Sequence, residues 1–204
     1  ELGLEIGAHT RIVGMVTRMT PQKGFDLVQC VLDELMDSED MAFVLLGTGN
    51  AEYEDFMRSA EWRHKGRLCA YIGYDEALSH RVYAGSDFLL MPSSFEPCGL
   101  SQMIAMRYGT LPIVRETGGL RDSVQPYNQF TGEGTGFSFA NFNAYELADA
   151  IRRALALYHD NYDAYCRVQR QAMSQDFSFT RSAEDYAHLY LLLLPEDTAP
   201  KHDA

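Results

Sequence analysis

Residues 41–46 read Met-Ala-Phe-Val-Leu-Leu, six apolar side chains in a row without the alternation of a half-exposed strand. A run of this kind is typical of a parallel strand that is buried on both faces of its sheet. Five other short apolar or β-branched runs flank it along the chain. The pattern therefore predicts six strands, at 11–17, 42–47, 67–72, 87–91, 111–114 and 136–139.

Helical patterns separate these strands, at 24–37, 50–64, 76–84, 99–108 and 119–124. Such alternation builds βαβ units with right-handed crossovers, so we expect an α/β fold with a Rossmann-like doubly wound parallel sheet of about six strands. Beyond residue 139 the pattern is helical only, at 143–159, 162–174 and 180–194. The predicted organisation is a nucleotide-sugar-binding domain over 1–159, C-terminal helices over 160–194 and a frayed tail over 195–204.

Charge and composition exclude several classes of function. The 204 residues carry 17 basic and 29 acidic side chains, and this net charge of −12 argues against nucleic acid or a membrane surface as a general partner. The four cysteines form no CxxC and the six histidines no HxxxH pair. Neither a metal site nor a cofactor is therefore expected, and a reducing compartment fits best. The apolar run 189–194, which no other run exceeds in length, is far shorter than a bilayer span.

The loops that follow the strands hold the candidate site, because ligands of open α/β sheets bind beyond the carboxyl ends of the strands. After the first strand, Arg18 and Lys23 lie five positions apart across a proline turn and can converge on one anion. Two cations suit a diphosphate, although two solvated basic residues beside a helix start would look the same. After the third strand, Tyr74 can stack on a nucleobase or pack on the next helix.

The fourth strand leads into Phe-Glu-Pro-Cys-Gly-Leu-Ser at 95–101. Glu96 stands between an aromatic ring and a proline, just before a helix whose first turn holds Gly99 and Ser101. A helix N-terminus favours a phosphate, and a carboxylate beside it can accept hydrogen bonds from sugar hydroxyls. The alternative is that Glu96 only caps the helix.

The fifth strand leads into Thr117, Gly118 and Gly119, again before a helix. The backbone amides of these residues can form a second anion cradle, or the glycines can serve a plain turn. Taken together, the loops offer three places for a phosphate, one for a base and one for a sugar. That set predicts a nucleotide-sugar site.

Three motifs carry a resemblance to a known family: Arg18-x4-Lys23-Gly24, the Phe-Glu-Pro-Cys-Gly-Leu run at 95–100 and Thr-Gly-Gly-Leu at 117–120. With them the chain resembles the bacterial glycogen synthases and plant starch synthases from Arg11 to the Phe-Ser-Phe at 177–179. The resemblance implies one half of a GT-B fold, the C-terminal, donor-binding domain. It also implies a retaining transfer of glucose from ADP-glucose to the non-reducing end of an α-1,4-glucan.

The resemblance gives each motif a role. Arg18 and Lys23 would grip the diphosphate and stabilise the charge on the leaving group, which makes them, with Glu96, the catalytic candidates. Glu96 and the backbone around Cys98 and Gly99 would hold glucose hydroxyls. The other implied contacts are Leu100 and Ser101 to the distal phosphate, Tyr74 to adenine, and Thr117, Gly118 and Gly119 along the phosphate–sugar side.

Departures from related sequences refine the expectation. Retaining GT-B enzymes of the sucrose or trehalose-phosphate synthase kind, which use UDP-glucose, often carry a second glutamate eight residues after the first. The glucan synthases usually lack it, and Ile104 stands there in this chain. UDP-glucose transferases remain the alternative, as does a non-catalytic module that binds nucleotide or glucan. In such a module we expect Arg18, Lys23 or Glu96 to be lost.

The family's N-terminal Lys-x-Gly-Gly-Leu loop and the histidine beside the reacting sugar are not in this sequence, which starts at Glu1 without a methionine. We therefore expect a fragment that needs the N-terminal domain of the same enzyme as its partner and is inactive alone. Bacterial forms would act in the cytoplasm and plant forms in plastids, and the tail favours a bacterial one.

Overall fold

The computed structural model describes residues 2–193 and contains one six-stranded sheet. Its strands follow the order β3-β2-β1-β4-β5-β6, and every neighbouring pair is parallel. The doubly wound parallel sheet is therefore confirmed, and each predicted strand lies within one residue of the observed bounds. The strands are β1 (Arg11–Val16), β2 (Met41–Gly47), β3 (Leu68–Ile72), β4 (Phe88–Met91), β5 (Leu111–Arg115) and β6 (Phe137–Phe139).

Eight α-helices are found between residues 2 and 193, and none of them has both the length and the apolar character that a bilayer span requires. A short 3-10 turn, Pro21–Lys23, precedes the first of them. The helices are α1 (Phe25–Ser38), α2 (Ala51–Arg63), α3 (Glu76–Gly85), α4 (Ser101–Tyr108), α5 (Gly118–Ser123), α6 (Ala144–Asp160), α7 (Tyr162–Met173) and α8 (Phe179–Leu193).

The sheet is buried on both faces, as the unbroken apolar runs predict. All of β2 from Met41 to Leu46 is buried, and one cluster of apolar side chains joins the sheet to α1 and α6. Phe43 and Phe88 are among its largest fully buried members. This rigid core fixes where the loops at the carboxyl ends of the strands begin.

The chain divides into two compact units, Glu1–Ser174 and Gln175–Ala204. Helix α7 belongs to the first unit, whereas the sequence assigns everything beyond 159 to separate C-terminal helices. The reason is packing: α7 buries Tyr165 and Val168, and the Gln169 side-chain amide donates to the Gly109 carbonyl at 2.7 Å. Helix α8 lies in the second unit, and the predicted tail at 195–204 lies outside the described residues.

Tyr53 on α2 ties that helix to the start of α1. Its ring lies 5.5 Å from that of Phe25, and its hydroxyl donates to the Asp26 carboxylate. This hydrogen bond to Asp26, together with burial, raises the pKa of Tyr53 to about 12, because both favour the neutral phenol.

We expect Tyr53→Phe to lower the free energy of unfolding by about 1 kcal/mol at neutral pH, where the hydrogen bond is intact. The pKa of Tyr53 is about 12 in the folded protein, whereas the pKa of an unfolded tyrosine is about 10. The contribution is therefore complete below pH ~10 and is lost as the pH rises towards ~12. Urea denaturation of both proteins at neutral and alkaline pH measures this, and a stability difference that stays constant would contradict it.

Candidate active site

A cleft of about 380 Å³ opens at the carboxyl ends of β1 and β4. These two strands are neighbours, with Val13 beside Phe88, although β2 and β3 come between them in the sequence. The chain winds outward in one direction from β1 and in the other from β4, so the cleft lies at the switch point of the sheet, where open α/β folds bind ligands. Six of the predicted site residues line it: Arg18, Lys23, Glu96, Gly99, Leu100 and Ser101.

The centre of the cleft is an ion pair between the loops that follow β1 and β4. The Lys23 ammonium lies 2.5 Å from Glu96 Oε2, and the two side chains are only 18% and 11% exposed. The Ser93 hydroxyl donates to the same carboxylate oxygen at 3.1 Å. The sequence assigns Lys23 to a phosphate and Glu96 to a sugar as separate features. The structure places them in contact.

The contacts of Glu96 exclude one of the two interpretations of this residue. The N-cap position of α4 is Leu100, and no side chain in the described part of the chain caps this helix. The carboxylate binds Lys23 and Ser93 instead. Capping of α4 is therefore not the role of Glu96. The uncapped amides at the start of α4 border the cleft, where the helix dipole favours an anion.

Two side chains that the sequence analysis missed hold the Glu96 loop in place. Arg115, at the end of β5, donates from Nε to the Ser93 carbonyl at 2.8 Å and from Nη2 to the Ser94 carbonyl. Gln22 donates to the Phe95 carbonyl at 3.2 Å. A charged residue that ends an otherwise apolar strand, as Arg115 does, is the signal that could have identified this anchor.

The Thr-Gly-Gly turn after β5 packs against the Glu96 loop through its backbone. The Gly119 amide donates to the carbonyls of Glu96 and Pro97, both at 3.1 Å, and the Thr117 amide donates to Arg115. A Cβ atom at Gly119 would lie 2.0 Å from the Cys98 carbonyl oxygen, so only glycine allows this approach. These two amides are thus used inside the protein, and the turn supports the loop that carries Glu96.

Tyr74 and Cys98 do not line the cleft. Tyr74 is 88% exposed and follows β3, the strand at the far edge of the sheet. Cys98 is an exposed free thiol in the Glu96 loop. Ile104, where some retaining transferases have their second glutamate, packs beside a small apolar cluster that contains Leu89.

Tyr83 supports the start of α4. Its hydroxyl donates to the Ser101 hydroxyl at 3.1 Å. Burial raises the pKa of Tyr83, and the phenol therefore stays a neutral donor. No group of three or more His, Cys, Asp or Glu side chains that could hold a metal ion is found among residues 2–193.

The family model described as glycosyl transferases group 1 matches residues 4–171. The glycogen synthase of Exiguobacterium sibiricum is 51% identical over 195 residues, which cover 96% of this chain and 40% of that protein. The glycogen synthase of Geobacillus thermodenitrificans is likewise 51% identical, over 97% of this chain and 40% of its own length. The chain thus spans about two fifths of the length of these relatives.

A solved structure agrees with these relatives. The catalytic domain of starch synthase IV from Arabidopsis thaliana, bound to ADP and acarbose, matches with a TM-score of 0.84 and 37% identity. The match covers 94% of this chain and 40% of that one. The Anabaena protein HepE in complex with UDP-glucose has a TM-score of 0.67 at 22% identity, over 92% of this chain and 50% of that one, and shows the fold alone.

Proposed function

This chain belongs to the glycosyl transferases group 1 family, and from that premise we propose that it is the donor-binding domain of a retaining glucosyltransferase. The donor is ADP-glucose and the acceptor is the non-reducing end of an α-1,4-glucan. Two comparisons support this proposal: glycogen synthases about half identical to the chain, and the likeness to a starch synthase bound to ADP.

The Lys23–Glu96 pair in the switch-point cleft is the observation that carries the proposal. Arg18 and the first turn of α4 border the same cleft. On one side, a cation and helix amides suit a diphosphate, and on the other a carboxylate suits sugar hydroxyls. Lys23 has three donors and uses one on Glu96, so it can bind a phosphate oxygen without leaving the carboxylate.

The chemistry follows from where charge develops. As the bond between glucose and the diphosphate breaks, negative charge grows on the phosphate oxygens, and the Lys23 and Arg18 side chains stabilise it. Glu96 orients the glucose. The acceptor must also be positioned and water excluded, and we assign both tasks to the part of the relatives that this chain does not cover. We therefore propose that this chain alone does not catalyse transfer.

Calorimetric titration of this chain with ADP, UDP, ADP-glucose and glucose tests the proposal. We expect ADP to bind more tightly than UDP, and ADP-glucose at least as tightly as ADP. Preference for UDP would transfer the assignment to the UDP-glucose enzymes of the sucrose or trehalose-phosphate synthase kind. Failure of every nucleotide to bind would overturn Arg18 and Lys23 as a preformed diphosphate site.

Tyr74 is proposed as the residue that stacks on adenine, because a ring that is 88% exposed is free to do so. We expect Tyr74→Ala to weaken ADP binding about tenfold, since stacking of a base on an aromatic ring contributes about 1–3 kcal/mol. The matched control is Tyr145→Ala, which removes an equally exposed ring on α6. Equal ADP affinity of the two variants would show that Tyr74 does not contact the base.

We also propose the bacterial cytoplasm as the compartment of this reaction. Bacterial glycogen synthases are among the chain's relatives, and its four cysteines are all unpaired. Free thiols persist in a reducing environment, which supports that placement.

A further inference from the structure

A second groove of about 1,040 Å³ lies away from the donor cleft. Its walls are the loop 125–133, which precedes β6, and the C-terminal end of α6. The donor cleft lies at the carboxyl ends of the strands, whereas this loop leads into the amino end of the edge strand β6. The groove therefore faces the opposite end of the sheet, and no residue of the proposed donor site lines it.

Hydrogen bonds within the loop and to α7 support the loop that forms one wall. The Asn128 side chain accepts from the Phe130 amide at 2.9 Å, and the Tyr127 amide donates to Gly136 at 2.8 Å. Gln171 on α7 donates to the Gly132 carbonyl at 3.2 Å and accepts from the Gly134 amide, just after the loop, at 2.9 Å. These bonds place Phe130 on the rim of the groove with 89% of its surface exposed. The Phe130 ring is therefore not part of the core and is accessible to a ligand in the groove.

The lining combines aromatic rings with neutral amides. The partly buried Tyr127 ring borders the groove, and the buried Phe137 ring supports it from the core side at 6.1 Å. Amide side chains border it, namely those of Gln125, Asn128, Gln129 and Asn161. A pyranose has an apolar face edged by hydroxyls, and rings with nearby amide donors and acceptors match both parts. The volume is at the upper end of that of small-molecule sites, so several sugar units fit.

The charge of the groove disfavours a phosphorylated ligand. Arg153 is the one basic side chain among the lining residues, all of which are described by the structure. Its guanidinium is committed to Asp149 at 2.7 Å and to the Ser138 carbonyl at 3.0 Å. Glu133 and Asp160 add negative charge to the groove. An uncharged, hydroxyl-rich ligand is the class that this surface accepts.

We propose that this groove binds a segment of α-1,4-glucan, with Phe130 stacked on a sugar ring. The identity of the sugar polymer rests on the proposed function, while the carbohydrate class rests on the groove itself. A glucan held at the far end of the sheet stays tethered to the protein between encounters with a donor. The free end of the glucan then has a raised effective concentration near the donor cleft.

Titration of the isotope-labelled chain by NMR tests the proposal, with maltoheptaose and ADP added separately. We expect maltoheptaose to shift the amides of 125–133 and ADP to shift those around Lys23. Phe130→Ala is expected to weaken maltoheptaose about tenfold, the loss of one stacked ring, and to leave ADP affinity unchanged. Trp62→Ala, an 83% exposed ring on α2 outside the groove, serves as the control and keeps full maltoheptaose affinity.

The outcomes separate this inference from the proposed function. The groove proposal is overturned if ADP binds but maltoheptaose does not shift the amides of 125–133. It is also overturned if Phe130→Ala and the parent chain bind maltoheptaose with equal affinity. Both results leave the proposed donor site unaffected. If the parent chain binds maltoheptaose at 125–133 but does not bind ADP, the donor site is overturned and the groove proposal is unaffected. Equal shifts with cellohexaose, a β-linked glucan, would overturn the α-1,4 assignment. Because Phe130 is almost fully exposed, we expect the NMR spectrum of the Phe130→Ala variant to match that of the parent chain outside the loop 125–133.

Discussion

Replacement of Lys23 by methionine is expected to lower the free energy of unfolding by about 3 kcal/mol and to weaken ADP binding at least tenfold, by about 1.4 kcal/mol. The stability is lost because the substitution leaves the mostly buried Glu96 carboxylate with only the Ser93 hydroxyl as partner. The affinity is lost because the diphosphate loses a cation. Methionine keeps most of the apolar stem, so the change isolates the charge.

Urea denaturation with and without ADP measures both effects on one sample, since ADP raises stability only to the extent that it binds the folded chain. Lys65→Met is the matched control, because Lys65 is exposed in the turn after α2. Equal stability of the two variants would mean that the 2.5 Å contact contributes nothing. In a protein with the full length of the relatives, we also expect turnover to fall more than donor affinity, because leaving-group charge is greatest in the transition state.

Replacement of Glu96 by glutamine is expected to weaken ADP-glucose about tenfold while ADP binds as before or more tightly. Lys23 and Ser93 both bind Oε2. The second carboxylate oxygen is therefore the one that we propose accepts glucose hydroxyls, and an amide is a weaker acceptor with a donor in place of one oxygen. ADP has no glucose, so it does not lose this contact. Removal of the negative charge beside Lys23 also favours the diphosphate.

Calorimetry with ADP and ADP-glucose on Glu96→Gln and on the exposed control Glu52→Gln decides the point. Equal losses for both ligands would make Glu96 a support for its loop and not a contact of the sugar. The double variant Lys23→Met/Glu96→Gln completes a double-mutant cycle that measures the coupling between the two side chains in the free energy of unfolding. We expect it to be more stable than the sum of the two single losses predicts, because it buries no unpaired carboxylate.

The sheet could be predicted from sequence because buried parallel strands leave a local mark, an unbroken apolar run such as 41–46. The loops after the strands could be predicted to meet at one edge of the sheet, because the carboxyl ends of parallel strands lie at the same edge. Pairing between loops leaves no such mark. Lys23 and Glu96 are 73 positions apart, and only the adjacency of β1 and β4 brings them into contact.

Other parts of the site and fold were missed for physical reasons of the same kind. The part played by Gly119 depends on a backbone approach to Cys98 that composition cannot show. The boundary after α7 depends on which C-terminal helix packs against the sheet domain. The sequences of α7 and α8 are both amphipathic, and this pattern does not show which of the two helices packs there. The second groove has no motif, because a loop and the end of α6 build it from ordinary amides and rings.

The adjacency of β1 and β4 has a mechanical consequence. The seam between them divides the sheet into two halves, β1 to β3 and β4 to β6, and its backbone register joins only Val13 to Phe88 and Gly14 to Leu89. A clasp closes each end of this seam: Arg11 with Asp87 at one end and Lys23 with Glu96 at the other. A donor nucleotide bound over the second clasp, as we propose, would span both halves and so resist their separation. We therefore expect donor binding to suppress opening of the sheet along this seam.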